Sequence, residues 1–439
     1  MVRITSIDGK RCEYATGSAD FEKGLHMTRR WKLNQWRHAM TAAMGIVLSV
    51  SMVNSFAAKP PTSQVNTTGL AVTDDTVTVG ILHSLTGTMA ISETGAQEAE
   101  KLAIDEINAM GGVLGRQIKF IQEDGASDWP TFAEKAKKLL ENDHVAAIMG
   151  CWTSASRKAV LPVLERDNGL LYYPTFYEGL EQSKNVIYTG QEATQQVFAG
   201  LDWVAKTKGA KTFYLIGSDY IWPRTTMKLA RKYIETVLHG KIVGEEYAAL
   251  GSTQFGSTIN KIRLKKPDVI YAAVVGGSNV AWFKQLKAAG ITGKKQTLLT
   301  VSVTEDEAHG IGAENLLGFY SAMKYFQSLD TPENKSFVAE FKKKWGADAP
   351  IGDVTQAAYE GPWLWKAAVE KAGSFDTDKV VKAEESGTIT FKAPEGEVYL
   401  ESNHHLKTRL RVGEWRADGQ ADIVYTSDYI MPNPFPKGY

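Results

Sequence analysis

Short apolar runs alternate with amphipathic segments along most of the chain. Each run is rich in β-branched or aromatic residues, which is typical of a buried strand, and the runs fall at 77–82, 118–121, 146–149, 170–173, 212–216, 269–274 and 297–301. Amphipathic segments follow many of these runs and predict helices at about 95–110, 131–142, 156–167, 225–238 and 280–289. This alternation predicts an α/β fold with parallel sheets flanked by helices.

The number of predicted strands indicates more than one lobe. A single sheet with so many strands would be large, so we expect two Rossmann-like α/β lobes joined by a three-crossing hinge. The crossings are predicted near 190–194, 324–327 and 382–388. The first lobe would then hold residues 76–192 and 326–384, and the second lobe residues 193–325 and 385–439. Short strand patterns with glycine turns at 387–429 predict a β-rich cover on the second lobe.

The first part of the chain has the pattern of an export signal. Residues 29–38 are basic, residues 39–58 carry no charge, and small residues precede a cut after Ala57. We therefore predict a cleavable leader over residues 1–57, with Met27 as an alternative start and a periplasmic or other extracytoplasmic location. A single membrane anchor is the alternative interpretation of the same segment.

Composition narrows the classes of function. Apolar residues make up 43% of the chain and charged residues 23%, as in ordinary soluble proteins, and the formal net charge of zero does not favour a nucleic-acid surface. Loss of Cys12 with the leader would leave Cys151 as a lone thiol, and no Cys/His spacing fits zinc. We predict no metal or cofactor. Residues 58–75, rich in Pro, Ser and Thr, predict a flexible tether.

Aromatic and hydroxyl side chains follow three of the predicted strands. They are Trp152, Thr153 and Ser154 after the strand at 146–149, Tyr173 and Thr175 at the end of 170–173, and Tyr220 and Trp222 after 212–216. Taken singly, such hydroxyls could cap the next helix and such aromatics could pack on a loop. Because the carboxyl ends of parallel strands lie at one edge of a sheet, the three groups together favour a shared ligand cleft.

Reactive residue types give little support for catalysis. Cys151 could act as a nucleophile, but a lone cysteine at a strand end is more often a small buried apolar residue. His404 and His405 would point to opposite faces of a strand and could not chelate a metal together. Glu305 lies in an acidic helix start, although its carboxylate could instead reach the cleft and accept N–H groups from a ligand. We predict no catalytic residue.

Five segments of the chain resemble one known family. They lie at 150–158, 173–179, 217–224, 279–286 and 325–334. Together they are similar to the urea- and short-amide-binding branch of the branched-chain amino-acid-type receptors, which are type I periplasmic binding proteins. The resemblance covers about 77–434 and is closest to the substrate-binding proteins of urea ABC transporters.

The resemblance implies a binding protein that closes on a small molecule and is not an enzyme. It implies a planar amide between aromatic side chains, with Trp152, Thr153 and Ser154 as one wall, Tyr173 and Thr175 beside them, and Tyr220 and Trp222 closing from the second lobe. Glu305 is a further ligand-binding candidate that no motif places. The implied partner is the membrane permease of an ABC importer. A branched-chain amino-acid receptor, an amide sensor or regulator, and an amidohydrolase using Cys151 stay open as alternatives.

Overall fold

The computed structural model describes residues 59–439, and its first β-sheet is entirely parallel. The strand order is β2-β1-β3-β4-β5, with β1 at Thr76–His83, β2 at Gln117–Asp124, β3 at Ile148–Gly150, β4 at Leu171–Tyr173 and β5 at Val186–Tyr188. The inner strands β3 and β4 are buried along their whole length because helices cover both faces of a parallel sheet.

The second sheet has a parallel part and an antiparallel extension. The parallel strands lie in the order β7-β6-β8-β9-β10, with β6 at Thr212–Ser218, β7 at Lys241–Ala248, β8 at Val269–Ala273, β9 at Thr297–Thr300 and β10 at Tyr320–Met323. Antiparallel pairing then adds β13 at Leu406–Trp415, β14 at Ala421–Ile430, and the hairpin of β11 at Ile389–Ala393 and β12 at Gly396–Leu400.

Helices connect most of the strands. They are α1 at Thr62–Val65, α2 at Ala90–Ala109, α3 at Trp129–Lys137, α4 at Ser154–Asp167, α5 at Ala199–Lys208, α6 at Ile221–Thr236, α7 at Gly256–Lys265, α8 at Ser278–Ala288, α9 at Glu305–Ile311, α10 at Ala313–Leu316, α11 at Pro332–Trp345, α12 at Asp353–Ala372 and α13 at Thr377–Glu384. A π-helical turn at Lys138–Asn142 continues α3, and another at Thr194–Phe198 precedes α5. No helix within residues 59–439 is both long and apolar enough to cross a bilayer.

The chain passes between the two sheets three times. It leaves the first sheet after β5 and returns after β10, so that α12 packs on α2 and on β4. It passes to the second sheet again after α13, where β11 begins. We refer to the first sheet with its helices as the first lobe, and to the second sheet with its helices as the second lobe. The predicted fold class, two α/β lobes with parallel sheets, is confirmed.

The segment predicted as a flexible tether instead packs on the first lobe. Val65 is buried, and its carbonyl accepts hydrogen bonds from the Phe375 amide at 2.7 Å and the Ser374 hydroxyl at 3.0 Å. The Thr67 amide and hydroxyl both donate to Asp376, at 2.7 and 2.6 Å. The prediction is wrong for residues 59–75, because these contacts tie the segment to the first lobe. The predicted leader lies outside the described residues.

The β11–β12 hairpin packs differently from the predicted β-rich cover. Ile389, Val398 and Leu400 lie in the same buried cluster as Val77 and Ile81 of the first sheet. By hydrogen bonding the hairpin extends the second sheet, but it buries these apolar side chains against the first lobe. The predicted lobe boundaries stay predictions.

Candidate functional site

Aromatic side chains from both lobes meet where the predicted strand ends face each other. The rings of Trp152 and Phe176 pack edge to face with centroids 5.7 Å apart, and Phe176 lies 5.4 Å from Trp222 of the second lobe. Tyr220, which precedes α6, lies 6.5 Å from Trp222. Trp152 and Trp222 are each 2% exposed, so the lobes are closed over this cluster. We call these four residues the interlobe aromatic cluster.

Three of the predicted site residues are engaged in contacts within the first lobe. Thr153 caps α4 by accepting the Ser156 amide at 3.0 Å, which is the capping role considered from the sequence. The Ser154 hydroxyl donates to Glu178 at 2.5 Å. The Tyr173 hydroxyl donates to the Trp152 carbonyl at 2.7 Å. These contacts fix the wall of the cleft.

Three other predicted residues keep a buried polar atom free. Trp152 Nε1, Thr175 Oγ1 and the Tyr220 hydroxyl are buried and have no hydrogen-bond partner among residues 59–439. Leaving such a group unpaired costs about 1–3 kcal/mol. A ligand that supplied partners to these atoms would recover that free energy. The three atoms comprise one obligate donor and two hydroxyls.

A buried arginine lies beneath the aromatic wall. The Arg157 Nε atom donates to Glu181 Oε1 at 2.6 Å, and its guanidinium lies over the rings of Tyr173 and Tyr177 at 4.6 Å from each centroid. Its Nη2 atom lies 3.6 Å from Glu178 Oε1 and makes no hydrogen bond. Burial alone would raise the pKa of Glu181, but Arg157 and nearby Lys158 lower it to about 2.

Sequence reasoning did not select Arg157 or Glu178 as site residues. One signal was available, because Arg157 lies three positions after Ser154 and so shares its face of α4. Glu178 gave no such signal, since it lies in the irregular segment after β4 and meets Ser154 across 24 positions of sequence.

Glu305 lies apart from the interlobe aromatic cluster. Its Oε1 atom accepts the Gln327 amide at 2.7 Å, near the second crossing between the sheets. Its side chain lines a separate cavity of about 400 Å³ together with Lys342 and Asp348. Burial raises the pKa of Glu305 well above its usual range. Within residues 59–439, the contacts of Glu305 do not connect it with the other predicted site residues.

The alternative of a cysteine nucleophile has no support in the site. Cys151 is fully buried with a φ of 60°, and burial first, then the Glu93 charge, raises the pKa of its thiol. A thiol of this kind stays protonated and unreactive at neutral pH. In the part of the chain that the structure describes, no group of three His, Cys, Asp or Glu side chains is arranged to hold a metal ion.

Two lobes with parallel sheets, closed over aromatic rings and unpaired polar atoms, define a two-lobed solute-binding protein. The chain belongs to the family described as the periplasmic binding protein domain, whose model matches residues 77–439. Its fold is that of the type I periplasmic binding proteins, and it is not an enzyme.

Curated relatives cover the chain to different extents. The leucine-, isoleucine-, valine-, threonine- and alanine-binding protein of Pseudomonas aeruginosa is 24% identical over 349 residues, which are 78% of this chain and 91% of that protein. A limonene hydroxylase of Geobacillus stearothermophilus is 38% identical over 122 residues. That match spans 28% of this chain and only 22% of the hydroxylase.

Solved structures share the fold at low sequence identity. The branched-chain amino acid transporter substrate-binding protein of Streptococcus pneumoniae, in complex with isoleucine, has a TM-score of 0.71 and 20% identity, covering 82% of this chain and all of that one. A solute-binding protein of an ABC transporter from R. palustris, in complex with 4-hydroxybenzoate, has a TM-score of 0.72 and 24% identity, covering 81% of this chain and 98% of that one.

Proposed function

We propose that the protein binds urea or a short aliphatic amide between its lobes and delivers it to the membrane permease of an ABC importer. The observation that carries the proposal is the set of unpaired buried atoms on Trp152, Thr175 and Tyr220. An amide is neutral and planar, so it can lie against aromatic faces while its carbonyl oxygen and N–H groups pair with these atoms.

The contact between the lobes favours a small ligand. Phe176 of the first lobe and Trp222 of the second lobe lie 5.4 Å apart between ring centroids, so a ligand lies beside this pair and not between its rings. A benzoate ring or a branched aliphatic side chain would demand more room beside them than a urea-sized amide. The fold relatives that bind isoleucine or 4-hydroxybenzoate therefore do not determine the ligand of this chain.

The charges beneath the cleft also favour a neutral ligand. The Arg157 guanidinium is already paired with Glu181, and Glu178 lies beside it. A ligand carboxylate placed here would meet two buried carboxylates and would find only part of one guanidinium free. Uncharged amides avoid this repulsion.

We also propose that the protein acts outside the cytoplasm, as an exported member of its family. The basic and apolar sequence pattern before residue 58 supports export.

Calorimetric titration of the purified protein tests the proposed ligand class. We expect saturable binding of urea or of acetamide or formamide, and no binding of leucine or 4-hydroxybenzoate. Binding of leucine alone would overturn the proposal in favour of a branched-chain amino-acid receptor.

A matched pair of variants tests the location of the site. Tyr220→Phe removes a hydroxyl that has no partner within the described part of the chain, so we expect amide affinity to fall about tenfold, or about 1.4 kcal/mol, with little change in melting temperature. Tyr271→Phe is the control, because its buried hydroxyl also lacks a partner among the described residues. Burial is the one cause that raises the pKa of Tyr271, so no charged residue of the proposed site acts on it. Equal affinity losses in the two variants would argue against a site at Tyr220.

A further inference from the structure

The cavity of about 400 Å³ that Glu305 lines is separate from the interlobe aromatic cluster, because none of the four residues of that cluster lines it. Its walls come from α9 and the β13–β14 turn of the second lobe, and from α11 and the segment before α12 of the first lobe. Gln327, at the second crossing between the sheets, lines it beside Glu305. A molecule in this cavity would therefore be distinct from the ligand of the cleft.

Two buried oxygens on these side chains have no hydrogen-bond donor within residues 59–439. Glu305 is 2% exposed, and its Oε1 atom accepts the Gln327 amide at 2.7 Å while its Oε2 atom has no partner. Gln327 Nε2 donates to Gln420 Oε1 at 3.1 Å, but Gln327 Oε1 has no donor. Since the hydrogen bond between Glu305 and Gln327 joins the two residues directly, their free oxygens belong to one site. Both atoms are acceptors, so the partner that would satisfy them is a hydrogen-bond donor.

The charges around the cavity favour a donor that is also a cation. Its lining carries three carboxylates, on Glu305, Asp348 and Asp418, and one lysine ammonium, on Lys342, beside the exposed His309. Asp348 is exposed, and Asp418 lies 2.8 Å from Arg416 in an ion pair on the surface. Opposite charges attract more strongly in a partly enclosed cavity than in open water. The cavity is therefore better suited to a positive ligand than to a negative one.

Glu305 itself would gain from a positive partner. Burial raises the pKa of Glu305 well above its usual range, and the charges of Asp306 and Asp353 raise it further. A positive group placed at the free Oε2 atom would oppose this shift, because it favours the ionised carboxylate. A metal ion is a poorer candidate, since in the described part of the chain no group of three His, Cys, Asp or Glu side chains is arranged to hold one.

We propose that this cavity is a second binding site, which takes a small aliphatic amine whose ammonium group donates to Glu305 Oε2 and Gln327 Oε1. A primary ammonium group has three N–H donors, so it can satisfy both oxygens at once. Four alanines and one proline also line the cavity and suit a short alkyl chain. The site does not depend on the ligand of the cleft, so either proposal can fail while the other stands.

Calorimetric titration of the unmodified protein with three related molecules provides the first test. Butylamine carries the charge, the N–H donors and the alkyl chain, whereas tetramethylammonium keeps only the charge and 1-butanol keeps only the chain and a hydroxyl. We expect saturable binding of butylamine, with an affinity at least about tenfold higher than that of either comparison molecule. Absence of butylamine binding, or equal binding of butylamine and tetramethylammonium, would overturn the inference.

Three variants provide the second test. Glu305→Gln keeps an oxygen for the Gln327 amide but removes the charge, so we expect butylamine affinity to fall about tenfold or more. Glu314→Gln on α10 is the matched control, because Glu314 is exposed and does not line the cavity.

Lys342→Met removes the competing ammonium and should raise butylamine affinity about threefold, a gain that a folding defect would not produce. Equal affinities in Glu305→Gln and Glu314→Gln, or a loss of affinity in Lys342→Met at an unchanged melting temperature, would overturn the inference.

Discussion

At the residue scale, Arg157 supplies the buried positive charge that compensates the buried carboxylates of the first lobe. Its side chain is fully buried and pairs with Glu181, while Glu178 lies 3.6 Å away. The aromatic faces of Tyr173 and Tyr177 add cation–π contacts to the same guanidinium. Removing one member of such a network leaves the others as uncompensated buried charges.

We therefore expect Arg157→Met to lower the free energy of unfolding by about 3–5 kcal/mol. Differential scanning calorimetry is the suitable measurement, because chemical denaturation with urea would add the proposed ligand. Arg166→Met on the same helix is the control, since Arg166 is half-exposed in its contacts with Glu141 and Asp167 and should matter little. Similar losses in the two variants would contradict this account of the buried network.

His405 gives the first lobe a pH dependence of its own. The ring stacks on Tyr188 with centroids 4.4 Å apart, Nε2 accepts the Tyr177 hydroxyl at 2.5 Å, and Nδ1 donates to the Asn403 carbonyl at 2.7 Å. Burial lowers the pKa of His405 to about 4, because the charged ring would lose its hydration and the Tyr177 contact. The folded protein therefore keeps this ring neutral.

A neutral buried histidine makes stability fall as the pH falls. The unfolded chain takes up the proton near its ordinary pKa of about 6.5, whereas the folded protein resists it down to about 4. We expect this group alone to remove about 3 kcal/mol of stability between those values. His405→Gln should flatten the melting temperature between pH 6.5 and 4.5, and an unchanged slope would contradict the assignment. The elevated pKa of His83 acts above this window.

At the element scale, the hydrophobic pattern located the helices but placed two of their starts too late. Helix α2 begins at Ala90 and not near 95, and α6 begins at Ile221 and not near 225. In both helices the first turn faces the other lobe and buries polar or aromatic groups, among them Glu93 and Trp222. A periodicity search assigns such turns to loops, because their burial comes from the other lobe and the ligand cleft and not from their own sheet.

The sequence pattern was limited in the same way for the residues of the interlobe cleft. The aromatic residues of the cleft could be predicted, since Trp152, Tyr220 and Trp222 directly follow parallel strands and strand ends share an edge. Glu178 could not, because it meets Ser154 across 24 positions of sequence from an irregular segment. Hydrogen-bond geometry of that kind is not encoded in residue type or spacing.

Helix α9 of the second lobe packs against α2 of the first lobe, and Asp306 near its start joins it to α12. Asp306 Oδ2 accepts the Gly352 amide at 3.0 Å and the Thr355 hydroxyl at 2.9 Å. Gly95 of α2 leaves room for this contact, because a Cβ there would lie 2.3 Å from Thr355 Oγ1 and 2.7 Å from Asp306 Oδ1.

We expect Gly95→Ala to weaken amide binding about tenfold, because the added methyl group would push α9 away from the first lobe. In an ordinary helix interior the same change stabilises, by about 0.5–1 kcal/mol. Thr94→Ala on the exposed side of the same helix is the control and should leave affinity unchanged. Calorimetric titration of both variants checks this, and unchanged affinity in Gly95→Ala would show that the junction tolerates the methyl group.

At the scale of the whole molecule, binding depends on how closely the lobes approach each other. The loop before α2 meets the turn after β8 at the mouth of the cleft, where Gly277 donates to the Thr88 carbonyl. A Cβ at Gly276 would lie 2.7 Å from the Thr88 carbonyl oxygen and 2.9 Å from Met89 Sδ. The closed form therefore requires a glycine at 276, although the ligand site does not include it.

A comparison of Gly276→Ala with Gly290→Ala separates the effect of a substitution on lobe closure from its effect on backbone strain. Both glycines have positive φ, of 59° and 76°, so both alanines should lower the melting temperature to a similar extent. Only the methyl group at 276 would meet the other lobe, since nothing lies within 4 Å of a Cβ at Gly290. The apparent affinity falls in proportion to the fraction of molecules that can close, so we expect a loss of about tenfold or more in Gly276→Ala alone.

Small-angle scattering with saturating urea should show the radius of gyration shrinking less in Gly276→Ala than in Gly290→Ala. If both variants bound and contracted equally, the lobes would close without the Thr88–Gly277 contact, and closure would be governed by the ligand contacts alone.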